Sequence, residues 1–432
     1  MKLPPVLLLS LAMAGTACAA NWPSWRGPAQ NQVSPDKGFP VAWKWSPEGS
    51  SNIVWRTELP EAGNSSPIVW GDRIFVTQPL DDGKKRTLMC FDRRNGKLLW
   101  QQGVDYELAD THHEANTHCA GSPTTDGERI ICNFASAGIV AYDFSGKQLW
   151  KTDLGLQKHN WGSGSSPVIH GDLVIVYHGP GKDSALYGLD KKTGAKKWST
   201  PLPEDQPIER FDGFAGNTNG MIGSFATPLV LGHGGRDDII LPVSGKLRAF
   251  APTSGESSWT IDGMNPLVYA SASYGQDRIV AYGGYFGAAI VAKPDGHGDV
   301  TSSHRVYYEK RAKRHRIGSP IIKDGYVYFS NTIGLAECVE LESGKTVWEE
   351  RLPSSKTVGE TWGSMVLAED RLYVINQSGD TFVLKASPKY ELLSSNPVGE
   401  LSNSTPAFAD GDIFLRTQKA LYRVARTVPV TQ

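Results

Sequence analysis

Apolar and polar residues alternate along most of this chain with the two-residue spacing that turns one side of a strand toward a core. The segment Ser66-Pro67-Ile68-Val69-Trp70-Gly71-Asp72-Arg73-Ile74-Phe75-Val76 sets the pattern. A short apolar run follows Ser-Pro, a Gly-Asp pair makes a tight turn, and an alternating run returns. Gly and Asp suit that turn because they tolerate positive φ. No segment sustains the spacing of about 3.6 residues that marks an amphipathic helix.

The same grammar recurs with a period of about 40 to 50 residues, the mark of a repeat architecture. Further copies are Ser122-Pro123 with Asp126-Gly127, Ser166-Pro167 with Gly171-Asp172, and Ser319-Pro320 with Asp324-Gly325. Weaker ones begin at Thr227-Pro228, Ala270-Ser271, Gly363-Ser364 and Thr405-Pro406, which makes eight. A second piece is a Gly turn followed by Trp. It reads Gly96 to Trp100, Gly146 to Trp150, Gly194 to Trp198, Gly255 to Trp259 and Gly344 to Trp348. Each unit therefore predicts four short strands, A to D, with strand A after the Ser-Pro and the Trp on strand D as a packing anchor between units. The expected fold is all-β, an eight-bladed β-propeller.

The eighth unit supplies three strands before the repeat ends. Its fourth is expected from the other terminus, where Asn52-Ile53-Val54-Trp55-Arg56-Thr57-Glu58-Leu59 has the strand-D pattern. Pairing the two would lock the ring and remove an open edge. The expected map is residues 1–20 as signal peptide, 21–51 as an N-terminal extension, 52–426 as the propeller and 427–432 as a tail. Blades span roughly 65–103, 119–154, 163–203, 223–262, 267–310, 316–352 and 362–398, and the last is 401–426 plus 52–59.

The first twenty residues read as an export signal: Lys2, an apolar run from Pro5 to Ala14, and small residues Ala17-Cys18-Ala19-Ala20. Cleavage near Ala20 leaves Asn21 as the new start. The protein is expected in the periplasm or outside the cell. Lipid anchoring at Cys18 is the minor alternative, since Gly15-Thr16-Ala17 lacks the usual leucine three positions before the cysteine. Cys90, Cys119, Cys132 and Cys338 remain, with no C-x-x-C among them. Cys119 and Cys132 flank a hairpin, so export leaves a disulfide open. Cys90 and Cys338 hold the same place in two units, as small core residues would. A net charge of −1 over 432 residues argues against nucleic acid, whose phosphates call for a basic surface.

These repeats resemble the pyrroloquinoline-quinone-like (PQQ-like) propeller family, which includes quinoprotein dehydrogenases and a lipoprotein scaffold of outer-membrane protein assembly. Asn21-Trp22-Pro23-Ser24-Trp25-Arg26-Gly27-Pro28 and Trp161-Gly162-Ser163-Gly164-Ser165-Ser166-Pro167 are similar to segments of its secreted bacterial members. The resemblance implies the propeller over nearly the whole mature chain. It also implies PQQ with calcium as a possible cofactor. The family's enzymes carry adjacent cysteines over the quinone, and this sequence has none.

Chemistry is sought in the loops between blades, which meet around the channel mouth. His112, His113 and His118, with Glu114, are suitable metal-ligand types, and the alternative is hydrogen bonding to loop carbonyls. His118, His159, Arg314 and His315 are the candidates for acid–base or catalytic work. Arg314 and Arg316 in the basic run Lys310 to Arg316 suit a carboxylate ligand, and the alternative is a solvated loop. Trp161 and Trp362 stand ahead of strand A, placed to stack on a quinone or sugar or simply to pack the rim. Further candidate loops hold Glu209 to Asp212 and Asn217 to Asn219.

With no complete catalytic signature, the leading expectation is a binding module that acts through its loop-rich face. Its partner would be a small molecule, a glycan or an envelope protein, and the chain a monomer. The alternatives are a PQQ-dependent alcohol or sugar dehydrogenase, or a carbohydrate-active lyase or hydrolase.

Overall fold

The computed structural model describes residues 21–46, 49–108, 110–203, 210, 212–214, 222–356 and 359–427. The signal segment, Cys18, Glu209, Phe211 and Asn217 to Asn219 lie outside the described residues. Among these residues the chain forms eight radial β-sheets, an eight-bladed propeller. In blade 1, strands A to D are Ile68–Trp70, Arg73–Leu80, Lys85–Asp92 and Leu98–Asp105, paired antiparallel in sequence order. The inner strands of the next six blades are Thr124–Thr125, Val168–His170, Leu229–His233, Ser273–Gly275, Ile321–Lys323 and Val366–Ala368. Among the described residues helix is confined to one turn at Thr301–His304 and a 3₁₀ turn at Ala135–Ala137. No helix among the described residues is long and apolar enough to cross a membrane.

Blade 8 combines the two ends of the repeat. Ala407–Ala409, Asp412–Arg416 and Ala420–Val424 are completed by Ile53–Glu58, with Trp55 opposite Arg423 and Thr57 opposite Leu421. Buried arginines fasten this blade to blade 1. Arg93 binds Asp412 at 2.9 Å and the Ala409 carbonyl at 2.8 Å. The Arg416 guanidinium donates to the carbonyls of Ser65 and Thr77 and to Gln78 Oε1.

Between blades the two halves of the Gly-to-Trp motif meet. The indole of Trp198 donates to the Pro252 carbonyl of the next blade at 2.9 Å, and Gly255 lies flat under its ring. A Cβ on Gly255 would stand 2.3 Å from Trp198 Cε3, and its φ of +73° disfavours any side chain. Trp55, Trp100, Trp150 and Trp348 donate across to the following blade in the same way. Cys90 and Cys338 sit directly opposite the Trp of their own blades, Trp100 and Trp348, and all four described cysteines are buried free thiols.

A ring of hydrogen bonds runs around the centre. The Ser or Thr that opens each strand A donates its backbone N–H to the side-chain hydroxyl of its counterpart in the next blade. The order is Ser66, Ser122, Ser166, Thr227, Ser271, Ser319, Ser364, Thr405 and back to Ser66, with distances of 2.8 to 3.1 Å. Six of the eight precede Pro, which holds the residue before it extended and offers no N–H of its own to the open inner edge.

The segment from Asn21 to Ser34 crosses the ring on the side of the A–B turns. Asn21 Oδ1 accepts the Gly71 N–H, Trp22 bridges Val69, and the Pro23 carbonyl accepts the Thr125 N–H. Buried Arg26 reaches Ala272 and Ser273 in blade 5, and Val33–Ser34 runs parallel to strand A of blade 7. The extension is thus a plug across one end of the channel.

Two stability measurements test this frame. Ser319→Ala removes the acceptor of the Ser271 N–H, and an unpaired buried donor costs about 1–3 kcal/mol, so denaturant unfolding shifts by that amount. Ser319→Thr keeps the hydroxyl and holds stability within about 1 kcal/mol, since Thr227 and Thr405 already serve in the ring. Gly255→Ala, which meets the Trp198 ring, lowers stability by about 2 kcal/mol or more.

Candidate functional site

With the plug at one end, the channel becomes a cup that opens among the D–A and B–C loops. Its volume is about 240 Å³, and Trp25 of the plug is part of its lining. The eight ring hydroxyls form one tier. Residues two apart in an extended chain face the same way, so the position two before each ring residue forms the next tier. That tier is Asn64, Ala120, Gly164, Phe225, Tyr269, Ile317, Trp362 and Asn403, and all eight line the cup. His113, Asn116, Trp161 and Tyr285 from the surrounding loops complete it.

One side of the cup is aromatic. Phe225 stacks on Tyr269 with ring centroids 5.4 Å apart, and Trp161 lies 5.8 Å from Tyr269 and 5.9 Å from Tyr285. The other side carries amides. Asn64 and Asn403 both donate Nδ2 to the Ala115 carbonyl, at 2.8 and 3.0 Å. Their Oδ1 atoms, the Tyr269 hydroxyl and Trp25 Nε1 are buried and have no hydrogen-bond partner among the described residues. Burial pushes the Tyr269 pKa well above its ordinary value, so its hydroxyl keeps its proton. Each ring hydroxyl accepts one backbone bond and retains a proton to donate. Among the described residues the cup therefore offers flat apolar faces, two unused acceptors and many hydroxyl groups, and no Lys, Arg, Asp or Glu lines it.

Of the residues singled out from sequence, Trp161, Trp362 and His113 line this cup. His315 stands behind it, packed on Tyr285 at 4.4 Å and Phe286 at 4.6 Å. His159 is buried against Phe225 at 5.2 Å, and its Nδ1 accepts the Trp161 N–H. Arg314 pairs with Glu349 at 3.5 Å on the outer side. Arg316 is buried, pairs with Glu309 at 2.6 Å, and lies over Tyr282 and Phe329. The basic run thus packs over the B–C loop of blade 5 and does not line the cup, because Glu309 and Glu349 on neighbouring strands engage its arginines. His112 and His118 meet each other outside the cup, with ring centroids 4.2 Å apart.

Phe225, Tyr269, Tyr285, Asn64 and Asn403 were not anticipated from sequence. The signal for four of them was the fixed offset from the ring Ser or Thr. Tyr285 comes from a B–C loop and has no such mark.

PQQ carries three carboxylates and its calcium needs oxygen ligands that include carboxylate. Among the described residues the lining of the cup has neither cation nor carboxylate and does not fit that pair.

Comparison with known proteins agrees with the propeller fold. The family model PQQ_2, described as outer membrane protein assembly factor BamB, matches residues 47–221 and 333–427. BamB of Yersinia pestis is 23% identical over 333 residues, covering 72% of this chain and 74% of that protein. BamB of Burkholderia pseudomallei is 25% identical over 371 residues, covering 76% and 86%. A shorter match, to BamB of Xanthomonas campestris pv. campestris, is 29% identical over 137 residues and covers 31% of this chain and 30% of that protein. Among solved structures, BamB from Moraxella catarrhalis has a TM-score of 0.57 at 16% identity over 86% of this chain and 99% of that one. Quinohemoprotein alcohol dehydrogenase from Comamonas testosteroni has a TM-score of 0.55 at 11% identity, over 97% of this chain and 82% of that one. These structural likenesses establish the shared propeller.

His159 gives the cup wall a pH dependence. Burial lowers its pKa to about 4, against about 6.5 in an unfolded chain. Between those values the unfolded state binds the extra proton, so stability is full above pH 6.5 and falls as pH drops toward 4. His159→Gln flattens the fall of melting temperature between pH 7 and 5 relative to wild type.

Proposed function

The chain belongs to the PQQ_2 family, outer membrane protein assembly factor BamB, and from that premise we propose that it is an exported binding module of the cell envelope. Its cup receives an uncharged polar group presented by a protein partner. The observation that carries this reading is the cup, uncharged among the described residues, in which aromatic rings face buried amide oxygens that lack donors among those residues. An amide or hydroxyl of a partner chain supplies the missing N–H or O–H, and an apolar side chain or backbone face lies against Tyr269 and Trp362. The family's assembly-factor description supports a protein as the occupant. The signal-like segment at residues 1–20 supports export.

A neutral saccharide is the second reading. Aromatic stacking with amide acceptors suits a sugar ring, and the same wall favours it. A quinoprotein dehydrogenase is the weaker alternative, given the uncharged lining.

The test is site-specific photo-crosslinking from position 362, paired with thermal shift of the purified protein. The expected result is a crosslinked envelope protein, lost on Asn403→Asp, which puts a charge in the cup. Trp362→Ala and Tyr269→Ala each weaken binding of the captured partner by about 2 kcal/mol. Stabilisation by neutral saccharides with no protein crosslink favours the second reading. A quinone absorbance on adding PQQ and calcium, or unaided turnover of an alcohol or sugar, overturns the proposal.

A further inference from the structure

The loop that brings His113 to the cup carries His112 and His118 to a different place. Asp82, on the B–C turn of blade 1, meets them there, and three ligand atoms lie within 4.8 Å of one another. We infer that Asp82, His112 and His118 form a binding site for a divalent transition ion of the zinc type. The site is separate from the cup, and the inference does not depend on what the cup binds.

The donor set favours that class of ion. Two imidazoles and one carboxylate suit zinc and its neighbours, whereas calcium and magnesium call for oxygen alone. Three protein ligands leave at least one coordination position for water.

The lone pairs are prepared. His112 Nδ1 lies 3.0 Å from the His113 carbonyl, and a carbonyl only accepts, so Nδ1 holds the proton and Nε2 is left bare. His118 has no hydrogen bond among the described residues. The Asp82 carboxylate has no hydrogen-bond or ion-pair partner among the described residues.

The surroundings hold these groups in place. The His118 ring rests on Gly83, where a Cβ would stand 2.2 Å from Cδ2. Arg86 braces the same turn by donating to the Gly83 carbonyl at 3.2 Å and to the Phe134 carbonyl at 2.7 Å. Its charge, which would otherwise repel a cation, is matched by Asp110 at 2.7 Å. Asp82 is exposed and the histidines half-buried, which leaves the site open to solvent.

An ion here ties blade 1 to the loop of residues 110–118. The Ala115 carbonyl of that loop holds Asn64 and Asn403 in the cup wall. Metal binding thereby stiffens the wall from outside.

The experiment is titration of chelator-treated full-length mature protein with zinc by calorimetry, and with cobalt(II) by visible absorption. The expected result is one ion per chain, with cobalt bands of nitrogen and oxygen ligation. His112→Ala and His118→Ala weaken binding by about tenfold or more, and His297→Ala, at an exposed position on blade 5, leaves it unchanged. Asp82→Asn sits on an exposed turn and tests the site without disturbing packing; it also weakens zinc binding. Absence of binding to wild type overturns the inference. So does an affinity untouched by both Asp82→Asn and His118→Ala, or one abolished by His297→Ala.

Discussion

A circle of backbone amides donating to side-chain hydroxyls holds the centre of this molecule together. Eight inner strands converge there, and where Trp22 and Val33–Ser34 do not pair with them their inner edges have no further strand to cover them. A buried amide without a partner costs on the order of 1–3 kcal/mol, so the inner rim must be satisfied or the sheets cannot close. Ser and Thr meet the need with a single atom, because Oγ accepts from one blade while the same residue's N–H donates to the next. The chain of bonds has no first or last member. Thr in place of Ser at positions 227 and 405 adds only a methyl group and keeps the circle intact.

The ring also explains why fold and site share residues. Each hydroxyl that satisfies a neighbour's amide remains free to donate on its own account. The strand period then fixes the next tier, two positions earlier, on the same side. Variation in that tier, from Gly164 through Asn64 to Trp362, sets the chemistry of the cup while the tier below stays nearly uniform. The scaffold and its specificity are thus written at alternate positions of one short segment.

Much of the fold was legible because both partners of each interblade contact lie inside the repeat. Trp198 and Gly255 belong to copies of one motif, and seeing the motif twice is nearly seeing the contact. The closure was legible for the same reason, since Trp55 carries the strand-D pattern without a strand C before it. The site was harder. Residue type drew attention to His118, His159, Arg314, His315 and Arg316, but type does not reveal who is nearby. Glu309 engages Arg316 from the end of the preceding strand, and Phe225 covers His159 from the loop of the next blade. Phe225 and Tyr269 look like ordinary core residues until their offset from the ring is counted. Asp82 looks like any turn aspartate until His118 is found across from it.

The plug has a directional consequence. Asn21 is held by Gly71 at an A–B turn, on the sealed side, while the aromatic mouth opens on the opposite side. Anything attached ahead of that residue, a lipid or a tether, draws the sealed side toward its anchorage. The mouth then points outward from that surface, turned toward whatever moves through the space beyond.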